Sequence, residues 1–210
     1  MLHRGMTTPD DRLEHALRQR GFMRIAGVDE VGRGPLAGPV TAAAVVLDLQ
    51  ALPQGLNDSK QLTAKRRGLL GPLIRDHGQV AVAHASVAEI DQINILRASH
   101  LAMERAIAAL DPAPDFVLID GNRLPRELTV PAQAVVKGDT KSVSIAAASI
   151  MAKLARDRIM VGLAQQFPGY GWENNAGYPT ASHKQALRDL GVTPHHRRSF
   201  KPVHNILYQE

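Results

Sequence analysis

Two apolar runs joined by a glycine-rich turn constrain the fold of this chain more than any other feature. Residues 23–29 and 39–47 have the composition of β-strands, and residues 32–38 between them contain three glycines and a proline. Glycine tolerates the backbone angles that a tight reversal needs. The pattern therefore predicts a hairpin-like pair of strands.

The other elements follow in an order typical of an α/β domain. Polar residues and apolar spacing before Gly21 predict a short leading helix, and further strands are expected at 79–86, 115–120 and 132–136. Helices are expected at 60–77, 93–110, 142–167 and 180–190. This order predicts a mixed five-stranded sheet flanked by helices, with a helical C-terminal extension. We divide the chain into a leading segment (1–22), a main domain (23–167) and an extension packed on it (168–210).

Composition excludes several classes of protein. The chain has no cysteine, so disulfide frameworks, thiolate zinc sites and cysteine nucleophiles are excluded. Its longest apolar run, residues 36–49, is interrupted by Pro39 and Thr41 and is too short to span a bilayer. The first 21 residues lack the apolar core of a signal peptide. We therefore expect a cytoplasmic protein without a membrane partner.

The positive charge is concentrated in the last third of the chain. Residues 140–210 contain nine Lys or Arg and four Asp or Glu, which accounts for the whole net charge of +5. This distribution favours a polyanionic partner docking there, although a solvated basic surface would give the same count. The same two interpretations apply to the basic segment made of His195, His196, Arg197, Arg198 and Lys201.

Four carboxylates occur where predicted strands end. Asp29 and Glu30 close the first strand, Asp120 closes a later one, and Asp139 follows the last. Singly, each has an ordinary explanation: a charged strand end, an Asp-Gly turn at Asp120, or a helix cap at Asp139. Together, and without cysteine or an HExxH pattern, they indicate an all-oxygen site for Mg²⁺ or Mn²⁺.

Adjacent residues of a strand point to opposite faces, so Asp29 and Glu30 reach one site only if the strand ends or bulges there. Gly32 and Gly34 would permit that. Two hard cations about 4 Å apart can activate water and stabilise the leaving oxygen of a phosphodiester. The glycine spacing does not fit a dinucleotide fingerprint, and no phosphate-binding P-loop or G-x-S-x-G motif is present. Phosphodiester hydrolysis is the chemistry that these residues favour.

Seven motifs resemble those of bacterial ribonuclease HII, in the family's order between about residues 23 and 204. They are Asp29-Glu-Val-Gly-Arg-Gly-Pro-Leu-Ala-Gly-Pro39, Asn57-Asp-Ser-Lys60, Ile119-Asp-Gly-Asn122, Val136-Lys-Gly-Asp139, Ala147-Ala-Ser-Ile-Met-Ala-Lys153, Arg156-Asp157 and Gly177-Tyr-Pro-Thr180.

The resemblance implies an RNase H-like fold and an endonuclease that uses two divalent ions, Mg²⁺ or Mn²⁺. It implies cleavage 5′ to a ribonucleotide, in RNA–DNA hybrids and at single ribonucleotides in duplex DNA, leaving 3′-hydroxyl and 5′-phosphate ends during DNA repair and replication. Asp29, Glu30, Asp120 and Asp139 would be both the catalytic residues and the metal ligands. A monomer is expected, and residues 204–210 show no sliding-clamp-binding box.

Further residues are candidates for contact with the substrate. Gly32 and Gly34 would let the backbone approach the 2′-hydroxyl, with Arg33 on a phosphate and Tyr178 stacked on the sugar at the junction. Ser59 and Lys60, expected at a helix start, would hold a phosphate or merely cap the helix. The remaining candidates have surface or packing roles as alternatives: Ser149, Lys153 and Arg156 on one helix face, and His183 beside a phosphate or the leaving group.

Two other functions stay open at this point. One is a related metal-dependent nuclease without sugar selectivity, which a substrate panel would identify. The other is a nucleic-acid-binding module without catalysis, which metal-dependent turnover would exclude.

Overall fold

A mixed five-stranded sheet organises the computed structural model, which describes residues 8–208. The strands are β1 (Ile25–Val31), β2 (Val40–Leu47), β3 (Gly78–Ala85), β4 (Phe116–Asp120) and β5 (Ala132–Val135). Their order is β3-β2-β1-β4-β5. The first three form antiparallel pairs, whereas β4 and β5 continue the sheet in parallel with β1. The predicted fold class is confirmed, including the hairpin of β1 and β2.

Helices cover both faces of this sheet. They are α1 (Arg12–Gln19), α2 (Ala64–Asp76), α3 (Val87–Ala108), α4 (Val143–Gln166), α5 (Trp172–Asn175), α6 (Ala181–Leu190) and α7 (Lys201–Tyr208), and a 3₁₀ turn (Gly138–Thr140) precedes α4. Helix α3 packs on one face, and α4 packs with α2 on the other. No helix within residues 8–208 is long and apolar enough to cross a membrane.

The position of α4 depends on a glycine in the central strand. A Cβ atom at Gly27 would collide with the backbone of Ser144 and Ile145. The bare backbone of β1 therefore lets the start of α4 lie directly on the sheet, next to the end of β1. Residues 143–152 of α4 are buried all round, as expected for a helix between a sheet and other helices.

Several boundaries differ from the predicted ones. Helix α2 begins at Ala64 because the Thr63 side chain caps it by accepting from the Arg66 amide, so Ser59 and Lys60 lie in the preceding turn and not at a helix start. Helix α3 begins at Val87, capped by Ser86, and contains a kink at Asn94. Helices α5 and α7 were not predicted.

The C-terminal segment packs against the glycine-rich turn. The Gly38 amide donates to the His195 carbonyl at 2.9 Å, and the Arg197 amide donates to the Leu36 carbonyl at 2.8 Å. Ala37 and His196 form an isolated antiparallel bridge. These contacts join the last third of the chain to the turn that follows β1.

Candidate active site

The four strand-end carboxylates meet at one edge of the sheet. Strands β1 and β4 are parallel, with Val28 opposite Ile119, so Asp29 and Asp120 come next in adjacent strands. Asp120 is in turn opposite Val135 of β5, and the 3₁₀ turn after that strand carries Asp139. The carboxyl ends of three neighbouring parallel strands thus bring the acids together, which is where open α/β sheets place their sites.

The two adjacent acids of β1 lie on opposite faces. The strand continues to Val31 and pairs regularly with β2 beyond Asp29 and Glu30, so the expected strand end or bulge at these residues is wrong. Asp29 is buried on the α4 side, whereas Glu30 lines a pocket on the α3 side. The site therefore reaches around the end of the sheet.

Asp120 and Asp139 are held by the turn that precedes α4. The Gly138 amide donates to Asp120 Oδ1 at 2.6 Å, and Lys137 adopts left-handed angles that start the turn. Asp139 is not the cap of α4, because Ser142 performs that role by accepting from the Ile145 amide. The Asp139 carboxylate is thus left for the site.

Mutual repulsion and burial define the electrostatics of the acids. Burial raises the pKa of Asp29 well above its usual value, and the charges of Glu30, Asp120 and Asp139 raise it further. Burial also raises the pKa of Glu30, in spite of the neighbouring Arg33. The pKa of Asp139 rises to about 6, through burial and then through the charges of Asp58 and Asp120. The acids therefore repel each other.

The loop before α2 contributes two charged groups to this edge. Asp58 is a fifth acid that was not predicted as a site residue, and its charge contributes to the raised pKa of Asp139. Burial opposes the charge of Lys60, but the negative charges of Asp58, Asp29, Asp139 and Asp120 outweigh it and raise the pKa of Lys60. The Asn57-Asp-Ser-Lys60 motif was the signal that could have revealed Asp58.

The donor set fits divalent ions with oxygen ligands. Carboxylates are the ligands that Mg²⁺ and Mn²⁺ prefer, and a bound cation would cancel the repulsion that raises these pKa values. Within residues 8–208, no three His, Asp or Glu side chains are already arranged around one point as ligands of a single ion.

A pocket of about 330 Å³ opens beside Glu30 and Asp120 on the α3 side. Its lining includes three basic or polar side chains of different elements, Arg33, His100 and Arg123. Arg33 Nη1 lies 3.2 Å from Glu30 Oε1. The sequence analysis missed His100 and Arg123, because neither lies in a recognisable motif.

Two buried arginines support the glycine-rich turn from behind. Arg156 donates to the carbonyls of Ala37, Pro39 and Ala176. Arg197 donates to the carbonyls of Gly32, Arg33 and Gly38, at 2.6 to 3.0 Å. Gly32 has a φ of +93°, and a side chain there would collide with Arg156.

These positions correct two expectations. Both Arg156 and Arg197 are fully buried, and their guanidinium groups are occupied by backbone carbonyls. Arg156 therefore does not lie on the exposed helix face expected to meet phosphates, and Arg197 is not part of a basic surface. Of the adjacent pair, only Arg198 is exposed.

Three other candidates are occupied by contacts within the protein. Ser149 donates to Ser59 at 2.8 Å, and both side chains are buried, so they join α4 to the loop that carries Lys60. Lys153 pairs with Asp157 at 2.6 Å along the same helix. The structure brings Ser149 close to Asp29, whereas Lys153 pairs with Asp157 within α4.

Tyr178 lies over the glycine-rich turn. A Cβ atom at Gly34 would be 3.5 Å from the Tyr178 ring, and the Tyr178 side chain is 41% exposed. His183, by contrast, is fully buried, and its Nδ1 lies 2.9 Å from the Tyr178 carbonyl. The expectation that His183 meets a phosphate or the leaving group does not fit this position.

Comparisons with known proteins agree on one family. The family model described as Ribonuclease HII matches residues 26–203. A Ribonuclease HII from Ruegeria sp. (strain TM1040) is 73% identical over 206 residues, which is 98% of this chain and 90% of that protein. A Ribonuclease HII from Paracoccus denitrificans is 67% identical over 205 residues, covering 98% of each.

Among solved structures, the ribonuclease H2 of Pyrococcus horikoshii OT3 superposes with a TM-score of 0.74. The sequence identity is 27%, and the match covers 89% of this chain and 98% of that one.

Proposed function

This chain belongs to the ribonuclease HII family and is a ribonuclease H enzyme; from that premise we propose that it cleaves the phosphodiester 5′ to a ribonucleotide by two-metal-ion catalysis. The family acts on RNA–DNA hybrids and depends on divalent metal ions. We extend the proposed substrates to duplex DNA with a single embedded ribonucleotide, and the proposed role to ribonucleotide removal in DNA repair and replication. The observation that carries the proposal is the carboxylate edge, which lies beside a turn covered by an exposed tyrosine.

The acids would hold the ions from both sides of the sheet end. Asp29 and Asp139 would act on the α4 side, Glu30 on the α3 side, and Asp120 between them. When bound, two such ions supply a nucleophilic water and stabilise the leaving 3′-oxygen. The four carboxylates would bind and orient the ions. The raised pKa values of Asp29, Glu30 and Asp139 mean that these three groups must be ionised before they bind.

Positive groups on either side of this edge would guide the cleaved strand. Lys60 lies within reach of the charges of the acids on one side. Arg33 and Arg123 line the pocket on the other side. Phosphates on both sides of the scissile bond would therefore meet a cation, and such contacts fix the register of a strand.

The glycine-rich turn would read the sugar. A protein distinguishes RNA from DNA at a given site through the 2′-hydroxyl. Arg197 occupies the carbonyls of Gly32 and Arg33, so we assign the reading of the hydroxyl to the amide side of the turn. Tyr178 would stack on the neighbouring deoxyribose, where an extra hydroxyl would fit poorly, and this favours an RNA-to-DNA junction.

A substrate panel tests this proposal. End-labelled duplexes of one sequence, containing no ribonucleotide, one ribonucleotide or a full RNA strand, are incubated with the enzyme and Mg²⁺. We expect no cutting of DNA alone and cutting on the 5′ side of the ribonucleotide in the other two. Equal cutting of all three would identify a nuclease without sugar selectivity, and no cutting would leave only a binding module.

Tyr178→Ala sharpens the same experiment. We expect the transition-state stabilisation for cleavage at a lone ribonucleotide to fall by on the order of 1 to 3 kcal/mol. This is the cost of removing an aromatic stack from a base, used here for a sugar. Cleavage of continuous RNA–DNA hybrid should be reduced by less. Tyr208→Ala is the matched control, because Tyr208 is also exposed but lies at the end of α7. An unchanged ratio between the two substrates would return Tyr178 to a packing role.

A further inference from the structure

Two histidines lie buried directly beneath the tyrosine loop. His183 and His196 are at most 1% exposed, and their Nε2 atoms are 3.2 Å apart. Trp172, itself 1% exposed, packs against both rings. Among residues 8–208, neither histidine hydrogen-bonds to a carboxylate, so the proposed chemistry of the sheet edge does not explain them.

The donors around this pair determine where each proton lies. The indole N–H of Trp172 can only donate, and it points at His183 Nε2 at 3.0 Å, so that nitrogen is an acceptor. His183 therefore carries its proton on Nδ1 and donates it to the Tyr178 carbonyl at 2.9 Å. The Thr193 amide likewise donates to His196 Nδ1 at 3.0 Å, which leaves the His196 proton on Nε2, facing His183.

Every ring nitrogen thus has a partner, and the single lone pair of His183 Nε2 is shared between the N–H groups of Trp172 and His196. The hydrogen bonds between the rings run in one direction. The direction is from Thr193 to His196, from His196 to His183, and from His183 to the Tyr178 carbonyl. A proton added to either ring would face a donor already in place, which agrees with burial lowering the pKa of His183 and, with help from neighbouring histidines, of His196 to about 3. Both rings are neutral at physiological pH.

We propose that His183 is a positioning residue for recognition of the RNA-to-DNA junction, acting through its Nδ1 hydrogen bond to the Tyr178 carbonyl, with His196 and Trp172 fixing its tautomer. The proposal rests on the function proposed above for Tyr178. Tyr178 is 41% exposed, and a Cβ atom at Gly34 would lie 3.5 Å from its ring, so the place of the ring depends on the backbone that carries it. His183 fixes that backbone from the buried side.

Two amide substitutions distinguish the contribution of the His183 Nδ1 hydrogen bond from that of the Nε2 hydrogen bond. In asparagine the amide group is attached at Cγ, as Nδ1 is in histidine, so His183→Asn can still donate to the Tyr178 carbonyl. In His183→Gln the amide lies further out, where it can accept from Trp172 but loses that donor. We expect His183→Gln to lower the preference for a lone ribonucleotide over continuous hybrid by about fivefold, the effect of one typical hydrogen bond. His183→Asn should stay within about twofold of wild type.

The melting temperature of each variant shows whether a change in substrate preference comes from a loss of stability. Leu110→Ala, a truncation of a buried residue just after α3, serves as a destabilised control and should leave the substrate preference unchanged. In a Tyr178→Ala background, His183→Gln should change the preference by less than twofold, since its effect passes through Tyr178. Two results would overturn the proposal. One is an equal loss of substrate preference in the two amide variants, and the other is an undiminished effect of His183→Gln in the Tyr178→Ala background.

The tautomers can also be tested independently of cleavage. Two-dimensional ¹H–¹⁵N spectra of the histidine rings in the full-length protein at pH 7 should show His183 protonated on Nδ1 and His196 on Nε2. The opposite tautomer at His183 would refute the positioning role even if the enzyme cleaves as proposed. Failure of wild type to select ribonucleotides, with these tautomers in place, would instead count against the proposed function.

Discussion

The carboxylate edge and the glycine-rich turn lie side by side but are built on opposite principles. At the edge, like charges are gathered and partly buried, so the pKa values of Asp29, Glu30 and Asp139 all rise. At the turn, two buried arginines are fully matched with backbone carbonyls. The edge thus gathers charges that repel each other, whereas the turn is held by contacts within the protein. A recognition surface gains from being preformed, and a metal site gains from unsatisfied charge.

The largest effect should come from removing a charge at the edge. Asp29→Asn should reduce cleavage by at least about 10³-fold, because a metal site supplies several kcal/mol of transition-state stabilisation and each 1.36 kcal/mol is a factor of ten. The same variant should raise the melting temperature of the metal-free protein, since repulsion among the acids is relieved. Single-turnover kinetics and thermal unfolding in EDTA measure the two effects. A loss of both activity and stability would mean that the edge is not strained by its charges.

Adjacent arginines provide the next test, at the turn. Arg197→Ala leaves three carbonyls without their donor, and at about 1 to 3 kcal/mol for each buried unsatisfied group the free energy of unfolding should fall by about 3 kcal/mol or more. Arg198→Ala, one residue along and exposed, should change it by less than about 0.5 kcal/mol. Urea unfolding of both variants makes the comparison. Similar losses in the two would contradict the supporting role of Arg197.

How far the sequence predicted these regions depends on the range of the contacts. The strands and the four acids were predictable, because apolar runs and carboxylates at their ends are local signals. The burial of Arg197 was not, because its acceptors at Gly32 and Arg33 are more than 160 residues away and arginine is rarely buried. Ser86 with Glu89 was a local signal for the start of α3 that the sequence analysis did not use.

The pH dependence of metal binding should show a smaller effect at the edge. The pKa of Asp139 is about 6 in the folded protein and near 3.8 when unfolded, so the metal-free folded state binds extra protons between about pH 4 and 6. The contribution of Asp139 to the free energy of unfolding therefore falls as pH rises through that window. Mg²⁺ binds the ionised form, so it should stabilise the protein more at pH 7 than at pH 5, by about 1 to 3 kcal/mol at saturating concentrations.

Melting temperatures with and without Mg²⁺ at the two pH values test this prediction. Asp139→Asn is the control, in which the difference between pH 5 and pH 7 should shrink. An equal shift at both pH values would mean that protons and the metal do not compete for the same groups.

The smallest effect concerns the exposed charges beyond the turn. Binding to duplex DNA should weaken with salt, because each neutralised phosphate releases a counterion. Arg198→Ala should lower the slope of log affinity against log salt by at most about 1 and leave the cleavage position unchanged. Affinities measured in Ca²⁺ over a salt series give the slope. A slope identical to that of wild type would place Arg198 in solvent.

Cleavage of a duplex with one ribonucleotide, measured against Mg²⁺ concentration for wild type and Asp120→Asn, tests the need of the carboxylate edge for cations most directly. We predict no cleavage by wild type in EDTA and a rate that rises with Mg²⁺. Ca²⁺, which is larger and less strict in its geometry, should support binding with little or no turnover. Asp120→Asn should bind the duplex nearly as well as wild type but should not cleave it. Cleavage in EDTA, robust turnover in Ca²⁺ or retained turnover in Asp120→Asn would contradict the account.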